Sequence, residues 1–346
     1  MLTIYSDDHR LHDMKNELYG GIMVPAHEMP RRADMVLDRV KSQSLGDVVG
    51  PQDFGMGPIE RIHDADFLTF LQTVWDEWSA IEGYQGDVVP TVWPSRRLNA
   101  TRMPNFPEGK AGYYALSVET SINAGTWQAA YTSAQVALTA QKAVADGARA
   151  AFGLCRPPGH HAATDMYGGY CFLNNAAIAA QAFLDQGASK VAVLDPDFHH
   201  GNGTQSIFYD RGDVFFASIH GDPDDAFPHF LGWADETGEG AGAGCNANYP
   251  LPPGAGFEQW LAAFEDACRK ITAFGAEALV ISHGVDTYKD DPISFFKLDS
   301  PDYVTYGKRI AEMGLPTVFV MEGGYAVEEI GINAVNVLSG FDSVAG

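Results

Sequence analysis

The stretch at residues 191–203, VAVLDPDFHHGNG, constrains the fold more than any other part of this sequence. It is a short apolar run that ends abruptly in two acids, two histidines and two glycines. An apolar run of this length between turn residues is typical of a strand buried on both faces of a parallel sheet, and open α/β sheets bind ligands just beyond the carboxyl ends of such strands. Asp197 and His199 alternate along an extended chain, so both side chains can point toward one metal ion.

Apolar runs and helical patterns alternate along the chain. Runs that predict strands lie at residues 2–6, 150–154, 214–219, 278–282 and 316–321, and one more begins at Val191. Apolar residues at helical spacing predict helices at residues 30–41, 62–78, 126–144, 172–185, 257–274 and 301–313. This order predicts an α/β fold, a single domain over residues 1–346 with a doubly wound, mainly parallel sheet and helices on both faces.

The charge of the chain excludes some classes of partner. A formal net charge of -23 and a pI near 4.6 argue against nucleic acid and anionic membranes, because long-range repulsion opposes association, whereas a small cationic molecule is attracted. The four cysteines show no CxxC spacing, which favours free thiols in a reducing compartment. With no signal-like start and no apolar run near the ~20 residues that span a bilayer, the sequence predicts a cytoplasmic protein.

Residues 83–112 break the alternation. They are rich in Pro, Gly and Arg and show no clear period, and structureless stretches of this length inside a compact domain tend to be functional or to contact a partner. The segment carries Trp93, Met103 and Phe106, apolar side chains that need covering. We therefore predict an irregular insertion that packs against a second copy of the chain, giving a homodimer.

Asp286, which follows the strand predicted at residues 278–282, completes a set of possible metal ligands with Asp197 and His199. Two carboxylates and one imidazole with open positions suit a catalytic zinc ion. For any one of these acids taken alone, capping of a helix N-terminus is the commoner role. His160 and His161 follow a Pro-Pro-Gly turn and can both line a pocket, although a histidine pair at such a turn can also be structural.

Five motifs together resemble one known family. They are RPPGHH, GGYCFLNN at residues 168–175, DPDFHHGNGTQ at residues 195–205, GVDTYKDDP at residues 284–292 and MEGGY at residues 321–325. In this order they are similar to the zinc-dependent histone deacetylases of the arginase/deacetylase fold and, within that family, to the bacterial acetylpolyamine amidohydrolases. The resemblance covers nearly the whole chain, and such an ordered set of motifs rarely arises by chance.

The resemblance implies roles for the residues at the strand ends. The implied metal ligands are Asp197, His199 and Asp286, which would bind one zinc ion per chain, or iron(II) in the cell. The implied catalytic residues are His160, His161 and Tyr325. Asp195 and Asn202 would orient the two histidines. His161 is then the general base and acid, and Tyr325 holds the oxyanion together with the metal. Pro196 departs from a regular central strand, because it cannot donate to the ladder, and we expect a local bulge there.

Other positions take their roles from the resemblance alone. Two monovalent-cation sites, for K⁺, are implied at Asp195, Asp197, His199, Ser218 and Ile219 and at Phe208, Arg211 and Val214. Substrate is expected to contact the aromatic walls Tyr170 and Phe227 and two acids, Glu108 and Glu119, which match acids of the insertion in polyamine enzymes. For any surface glutamate, plain solvation is the alternative.

The sequence thus predicts a metal-dependent amidohydrolase that removes acetyl groups from small cationic acetylpolyamines of the acetylputrescine, acetylcadaverine or acetylspermidine type, releasing acetate and the free amine. A protein acetyl-lysine deacetylase is the main alternative. A non-catalytic metal- or polyamine-binding protein is disfavoured because His160, His161 and Tyr325 are all present. A binuclear hydrolase of the arginase type is also disfavoured, since Gly201 and Tyr288 stand where its extra carboxylates are expected.

Overall fold

The computed structural model describes residues 1–344, and over these residues it shows ten β-strands and ten α-helices. The strands are β1 Leu2–Ile4, β2 Asn16–Tyr19, β3 Ile22–Pro25, β4 Val48–Val49, β5 Ala150–Gly153, β6 Val191–Asp195, β7 Val214–Gly221, β8 Asn246–Leu251, β9 Ala278–His283 and β10 Thr317–Met321. The helices are α1 Arg31–Ser42, α2 Gly57–Glu60, α3 Ala65–Ser79, α4 Pro107–Tyr114, α5 Thr126–Ala145, α6 Asn175–Asp185, α7 Asn202–Phe208, α8 Phe257–Phe274, α9 Ser300–Glu312 and α10 Ile330–Ser343.

Within residues 1–344, eight of the strands form one parallel sheet in the order β4-β1-β5-β10-β9-β6-β7-β8. Successive side chains of a strand point to opposite faces, and in β6 Val191 and Val193 join one hydrophobic core whereas Ala192 and Leu194 join the other. Helices α5 and α6 pack on the first face, and α1, α8, α9 and α10 pack on the second. The predicted fold, a doubly wound parallel sheet with helices on both faces, is confirmed.

Three local predictions were wrong, each for a physical reason. The helix expected from residue 62 begins only at Ala65, because Asp64 still has an extended backbone with a ψ of 141°. The helix expected from residue 172 begins only at Asn175, because the Asn174 side chain accepts a hydrogen bond from the N–H of Ala177 at 2.9 Å and caps the helix there. Pro196 needs no bulge, because β6 ends at Asp195 and the proline lies beyond the paired residues.

Several elements have no clear pattern in the sequence. Strands β2 and β3 form an antiparallel hairpin, which turns at Gly20 and Gly21, both in the left-handed region. The insertion at residues 83–112 is less irregular than predicted, because Val88 pairs with Ile122 and because α4 begins at Pro107, a residue suited to a first helical turn. Strand β8 and helix α10 were also missed.

The state of the cysteines agrees with the prediction of free thiols. All four are free, and Cys155 and Cys171 are buried. None of the helices in residues 1–344 combines the length and the apolar character needed to cross a bilayer.

Candidate active site

The carboxyl ends of β5, β10, β9 and β6, which are neighbours in the sheet, meet at one rim. The loops that follow them carry the predicted site residues, with His160 and His161 after β5, Asp197 and His199 after β6, Asp286 after β9 and Tyr325 after β10. Each of these residues is less than a tenth exposed. The parallel sheet therefore gathers at one place residues that lie far apart in the sequence.

Asp197, His199 and Asp286 form one group of possible metal ligands. Their ligand atoms lie within 4.8 Å of one another, and His199 Nδ1 is 2.9 Å from Asp286 Oδ2 and 3.5 Å from Asp197 Oδ1. Two glycines make this approach possible: a Cβ on Gly284 would collide with the Asp197 carboxylate, and one on Gly323 would lie 2.5 Å from Asp286 Oδ2. This donor set suits a divalent transition metal.

Backbone N–H groups fix the direction of both carboxylates. Asp197 accepts from His199 N–H at 2.9 Å through one oxygen and from Gly323 N–H at 2.8 Å through the other. Asp286 accepts from Phe198 N–H at 2.6 Å. Hydrogen bonds to ionised groups are stronger than neutral ones, so the loops after β6, β9 and β10 are held to one another.

The charges of this ligand set fit a bound cation. Burial and the negative charge of Asp197 raise the pKa of Asp286 to about 8. Burial opposes protonation of His199, but its hydrogen bonds to the two carboxylates outweigh burial and raise its pKa to about 10. A metal would replace these protons, because its ligands bind in their deprotonated forms.

The structure brings the two adjacent histidines to their predicted partners. His160 Nδ1 lies 3.0 Å from Asp195 Oδ2, and His161 Nδ1 lies 2.6 Å from Asn202 Oδ1. Because an amide oxygen only accepts, His161 carries its proton on Nδ1 and leaves Nε2 able to accept one. Of the two rings, that of His161 lines the cleft described below.

The surroundings of the two histidines move their pKa values apart. Burial, together with the positive charges of His160 and His199, holds the pKa of His161 well below its usual range. Burial also disfavours a charge on His160, but the carboxylates of Asp197 and Asp195 outweigh burial and raise the pKa of His160 to about 10. Neighbouring groups with opposite shifts are typical of an acid–base site, with the neutral group as the base.

Tyr325 lies beside His199, with ring centroids 6.5 Å apart. It follows Gly323 and Gly324, and the φ of Gly324 is 134°, a conformation that glycine permits. The Arg32 guanidinium lies over the tyrosine ring, 4.7 Å from its centroid. Burial raises the pKa of the Tyr325 phenol far above its usual value, so the hydroxyl keeps its proton and can donate a hydrogen bond.

A cleft of about 380 Å³ reaches these residues from the surface. Tyr170 and Phe227 line it as predicted: the Phe227 ring meets the His161 ring edge-on at 5.1 Å, and the Tyr170 ring lies 5.6 Å from that of Tyr325. Glu119 also lines the cleft. The structure thus brings the predicted aromatic pair and one of the two predicted acids to the cleft, which Tyr325 and a second acid, Asp225, also line.

Glu108 lies elsewhere. It is on α4, and its carboxylate accepts hydrogen bonds from the hydroxyls of Thr91 and Tyr84. It is not among the cleft-lining residues of the part of the chain that the structure describes. Only one of the two predicted glutamates therefore lines the cleft of its own chain.

The residues predicted to bind monovalent cations lie in two places. The first set includes Ser218 and Ile219 on β7. The second set, Phe208, Arg211 and Val214, extends from the end of α7 to the start of β7. Ser218 pairs with Asp195 of β6, so the first set lies next to the loop with the metal ligands. In the second set, Arg211 donates its backbone N–H to the Phe208 carbonyl at 3.0 Å. Cation binding at both places stays a prediction.

Sequence reasoning missed buried charged residues around the site. Glu17 on β2 accepts a hydrogen bond from the Tyr170 hydroxyl at 2.9 Å, and burial raises its pKa to about 7. Glu28 accepts hydrogen bonds at 2.8 Å from both Arg32 and Arg156. The RPPGHH motif draws attention to Arg156, but both glutamates lie in a stretch without a period, and nothing in the sequence pairs them with their partners.

Comparison with known proteins adds an independent line of support. A model of the histone deacetylase domain matches residues 26–341. The chain is 63% identical to acetylpolyamine amidohydrolase 1 of Pseudomonas aeruginosa, over 100% of both chains. It is 56% identical to the acetylpolyamine amidohydrolase of Mycoplana ramosa, over 98% of this chain and 99% of that protein.

Solved structures show the same likeness. A crystal structure of acetylpolyamine aminohydrolase from Burkholderia pseudomallei matches with a TM-score of 0.95 at 42% identity and covers 100% of both chains. The HD domain of HDA15 matches with a TM-score of 0.80 at 23% identity, over 98% of this chain and 86% of that one, which shows a shared fold.

Proposed function

The chain belongs to the histone deacetylase family, and on this premise we propose that it removes the acetyl group from small acetylpolyamines, giving acetate and the free amine. The observation that carries the proposal is the convergence of five side chains beside one cleft, which we call the floor: Asp197, His199, Asp286, His161 and Tyr325. Relatives that are 56% and 63% identical over nearly their whole length are acetylpolyamine amidohydrolases.

We assign metal binding to Asp197, His199 and Asp286, with one zinc ion per chain or iron(II) in its place. Two buried carboxylates side by side are costly without a compensating cation, and this is the observation on which the assignment rests. When bound, such an ion polarises the amide carbonyl and lowers the pKa of water. We propose K⁺ at the two places formed by Ser218 and Ile219 and by Phe208, Arg211 and Val214.

His161 is the general base in this proposal. Its Nε2 accepts a proton from the attacking water while Asn202 holds Nδ1–H at 2.6 Å, and the proton then passes to the nitrogen of the leaving amine. Tyr325 donates its hydroxyl hydrogen bond to the carbonyl oxygen, where negative charge develops. His160, kept charged by the carboxylates of Asp197 and Asp195, adds positive charge beside the reacting groups.

The cleft suits a thin aliphatic cation. Tyr170 and Phe227 offer aromatic faces and edges to an alkyl chain, and Glu119 offers a carboxylate to a distal ammonium group. The net charge of -23 attracts a polycation before contact is made. These features favour an acetylpolyamine over the acetyl-lysine of a bulky protein.

We further propose that residues 1–346 form one deacetylase domain and that residues 92–106, here called the arm, pack against a second copy of the chain. Val92, Leu98, Met103 and Phe106 of the arm are between 37% and 56% exposed. Exposed apolar groups gathered in one segment need a cover, and a two-fold dimer covers the same patch on both copies. In such a dimer the arm of one copy narrows the cleft of the other against protein substrates.

The test is turnover of acetylputrescine, acetylcadaverine, acetylspermidine and an acetyl-lysine peptide by one metal-loaded preparation, with His161→Ala as the inactive control. We expect kcat/KM for at least one acetylpolyamine to exceed that for the peptide by about tenfold or more. A preference for the peptide would contradict the polyamine substrate and leave a deacetylase. No turnover of any of the four would contradict the hydrolase.

A further inference from the structure

We propose that Asp291 is a positioning residue for the catalytic tyrosine, because its carboxylate holds the backbone of Tyr325 and ties it to the wall of the cleft. The proposal rests on the hydrolase function proposed above. Asp291 lies between β9 and α9 and is 6% exposed. Its Oδ2 accepts the N–H of Tyr325 at 2.7 Å and the N–H of Ala326 at 3.2 Å, and its Oδ1 accepts the N–H of Ile293 at 3.1 Å.

The backbone that carries Tyr325 belongs to neither a strand nor a helix. Strand β10 ends at Met321, and α10 begins at Ile330. The two residues before the tyrosine are glycines, which restrict the chain less than any other residue. The Tyr325 N–H is bonded to the Asp291 carboxylate instead of to a neighbour in regular structure.

The position of this backbone decides where the tyrosine hydroxyl lies. Arg32 and Tyr170 contact the ring itself, at 4.7 Å and 5.6 Å between centres. Asp291 instead holds the main chain from which the ring extends. A hydrogen bond to a developing negative charge is sensitive to displacements of about 1 Å, so loss of this carboxylate is expected to reduce the rate of the chemical step.

The same carboxylate reaches the wall of the cleft. Ile293 lines the cleft and packs against the apolar cluster that contains Tyr170 and Tyr325. One Asp291 oxygen bonds to the backbone of this wall residue and the other to the backbone of Tyr325. Asp291 therefore supports both the hydroxyl donor and the wall, and it lies in the same loop as Asp286, a proposed metal ligand.

A hydrogen bond that merely stabilises the loop would have the same geometry. The two roles differ in what the loss of Asp291 changes. A structural role predicts loss of folding or of the metal held by Asp286, whereas a positioning role predicts a lower kcat that depends on the Tyr325 hydroxyl. A double-mutant cycle separates them, because residues that act through one group are not additive.

The experiment compares Asp291→Ala, Asp291→Asn and Asp290→Ala with the parent, repeats Asp291→Ala in a Tyr325→Phe background, and measures kcat, KM and bound metal. Asp290 is the exposed acidic neighbour and serves as the matched control. We expect Asp291→Ala to lower kcat by about 10- to 100-fold, with KM within about threefold and the metal retained. In the Tyr325→Phe background it should cost less than about threefold.

Asp291→Asn should recover most of the loss, because its amide oxygen can still accept from Tyr325, and Asp290→Ala should match the parent. Additive losses in the double variant, loss of metal, or failure of Asp291→Ala to fold would each overturn the proposal. Crystal structures of the Asp291 variants give a readout independent of turnover: the Tyr325 ring should be displaced with Ala and in place with Asn. An inactive parent would contradict the proposed function, while an unmoved ring with Ala would contradict the role of Asp291.

Discussion

The floor of the cleft and the arm differ in how their side chains are held. The residues of the floor are at most 8% exposed, and its carboxylates accept hydrogen bonds from backbone N–H groups of the loops after β6 and β10. Residues 95–106 of the arm are all exposed. The β2–β3 hairpin resembles the arm, with Ile22 and Met23 both 65% exposed.

In the proposed function, this difference separates the residues that act on the acetyl group from those that select the substrate. Groups that must act on one carbonyl need fixed positions, and buried hydrogen bonds to backbone atoms supply them. Segments that meet the outer part of a substrate can vary with little cost to the fold. We therefore expect changes at the floor to alter kcat and metal content, and changes at the hairpin and the arm to alter KM and preference.

Asp286→Ala should have the largest effect, because it removes one carboxylate of the proposed metal-ligand set and leaves His199 Nδ1 and Phe198 N–H without their partner. We expect the purified variant to lose both the bound metal and activity, since an incomplete ligand set binds weakly. Elemental analysis and turnover check this result. The parent should carry one transition metal, and two tightly bound metals per chain would contradict the mononuclear site.

Tyr325→Phe should separate the oxyanion donor from the metal ligands. The variant keeps the ring and loses the hydroxyl, so metal content and unfolding temperature should match those of the parent. The loss of one such donor typically lowers kcat by ~10²-fold or more. Steady-state kinetics on an acetylpolyamine measures this loss of kcat. A variant that turns over at nearly the parent rate would show that Tyr325 is not the oxyanion donor.

Replacing residues 95–103 of the arm with a short Gly-Ser linker should change assembly and preference and leave the floor intact. These residues are all exposed, whereas Val88 pairs with Ile122 and Pro107 begins α4, so the linker spares both contacts. We expect a monomer in which the ratio of acetylpolyamine to acetyl-lysine peptide turnover falls by about tenfold. Sedimentation and a two-substrate assay measure both effects. A parent that is already monomeric at assay concentration would refute the proposed dimer.

Glu119→Gln should raise KM for acetylpolyamines without changing kcat. Glu119 lines the cleft, and a partly wet ion pair with an ammonium group contributes modestly, so we expect an increase of about three- to tenfold. KM for an uncharged acetylamine of similar length should not change. Glu108→Gln is the matched control within one chain, because Glu108 lies outside its own cleft. Equal shifts for charged and uncharged substrates would argue against an ion pair.

Glu17→Gln should change the pH dependence of stability more than turnover. Burial raises the pKa of Glu17 from 4.5 to about 7, so the folded state holds this proton more tightly than the unfolded state does. The parent therefore loses stability as pH rises from about 4.5 to about 7, by up to about 3 kcal/mol, and the glutamine variant does not. Denaturant unfolding at several pH values, with the exposed Glu82→Gln as control, tests this. Parallel curves for parent and variant would contradict it.

Much of the floor could be predicted from the sequence because its residues lie in the loops that follow buried strands. The alternation of apolar runs and amphipathic helices predicts a parallel sheet, and the carboxyl ends of neighbouring parallel strands meet at one rim. The pairs His160–Asp195 and His161–Asn202 were predicted from the resemblance and lie at hydrogen-bond distance. The hairpin was missed, because two strands of four residues with mixed polarity leave no clear period.

The sequence by itself thus determined the fold class and the position of the predicted metal ligands at the strand ends. The tertiary structure alone decided how buried charged residues around the site are paired. These pairs are Tyr170 with Glu17, Arg156 with Glu28, and Tyr325 with Asp291. The reason is physical. Periodicity reports which face of an element is buried, whereas a hydrogen bond between two irregular loops depends on how distant parts of the chain meet, and no local pattern encodes that meeting.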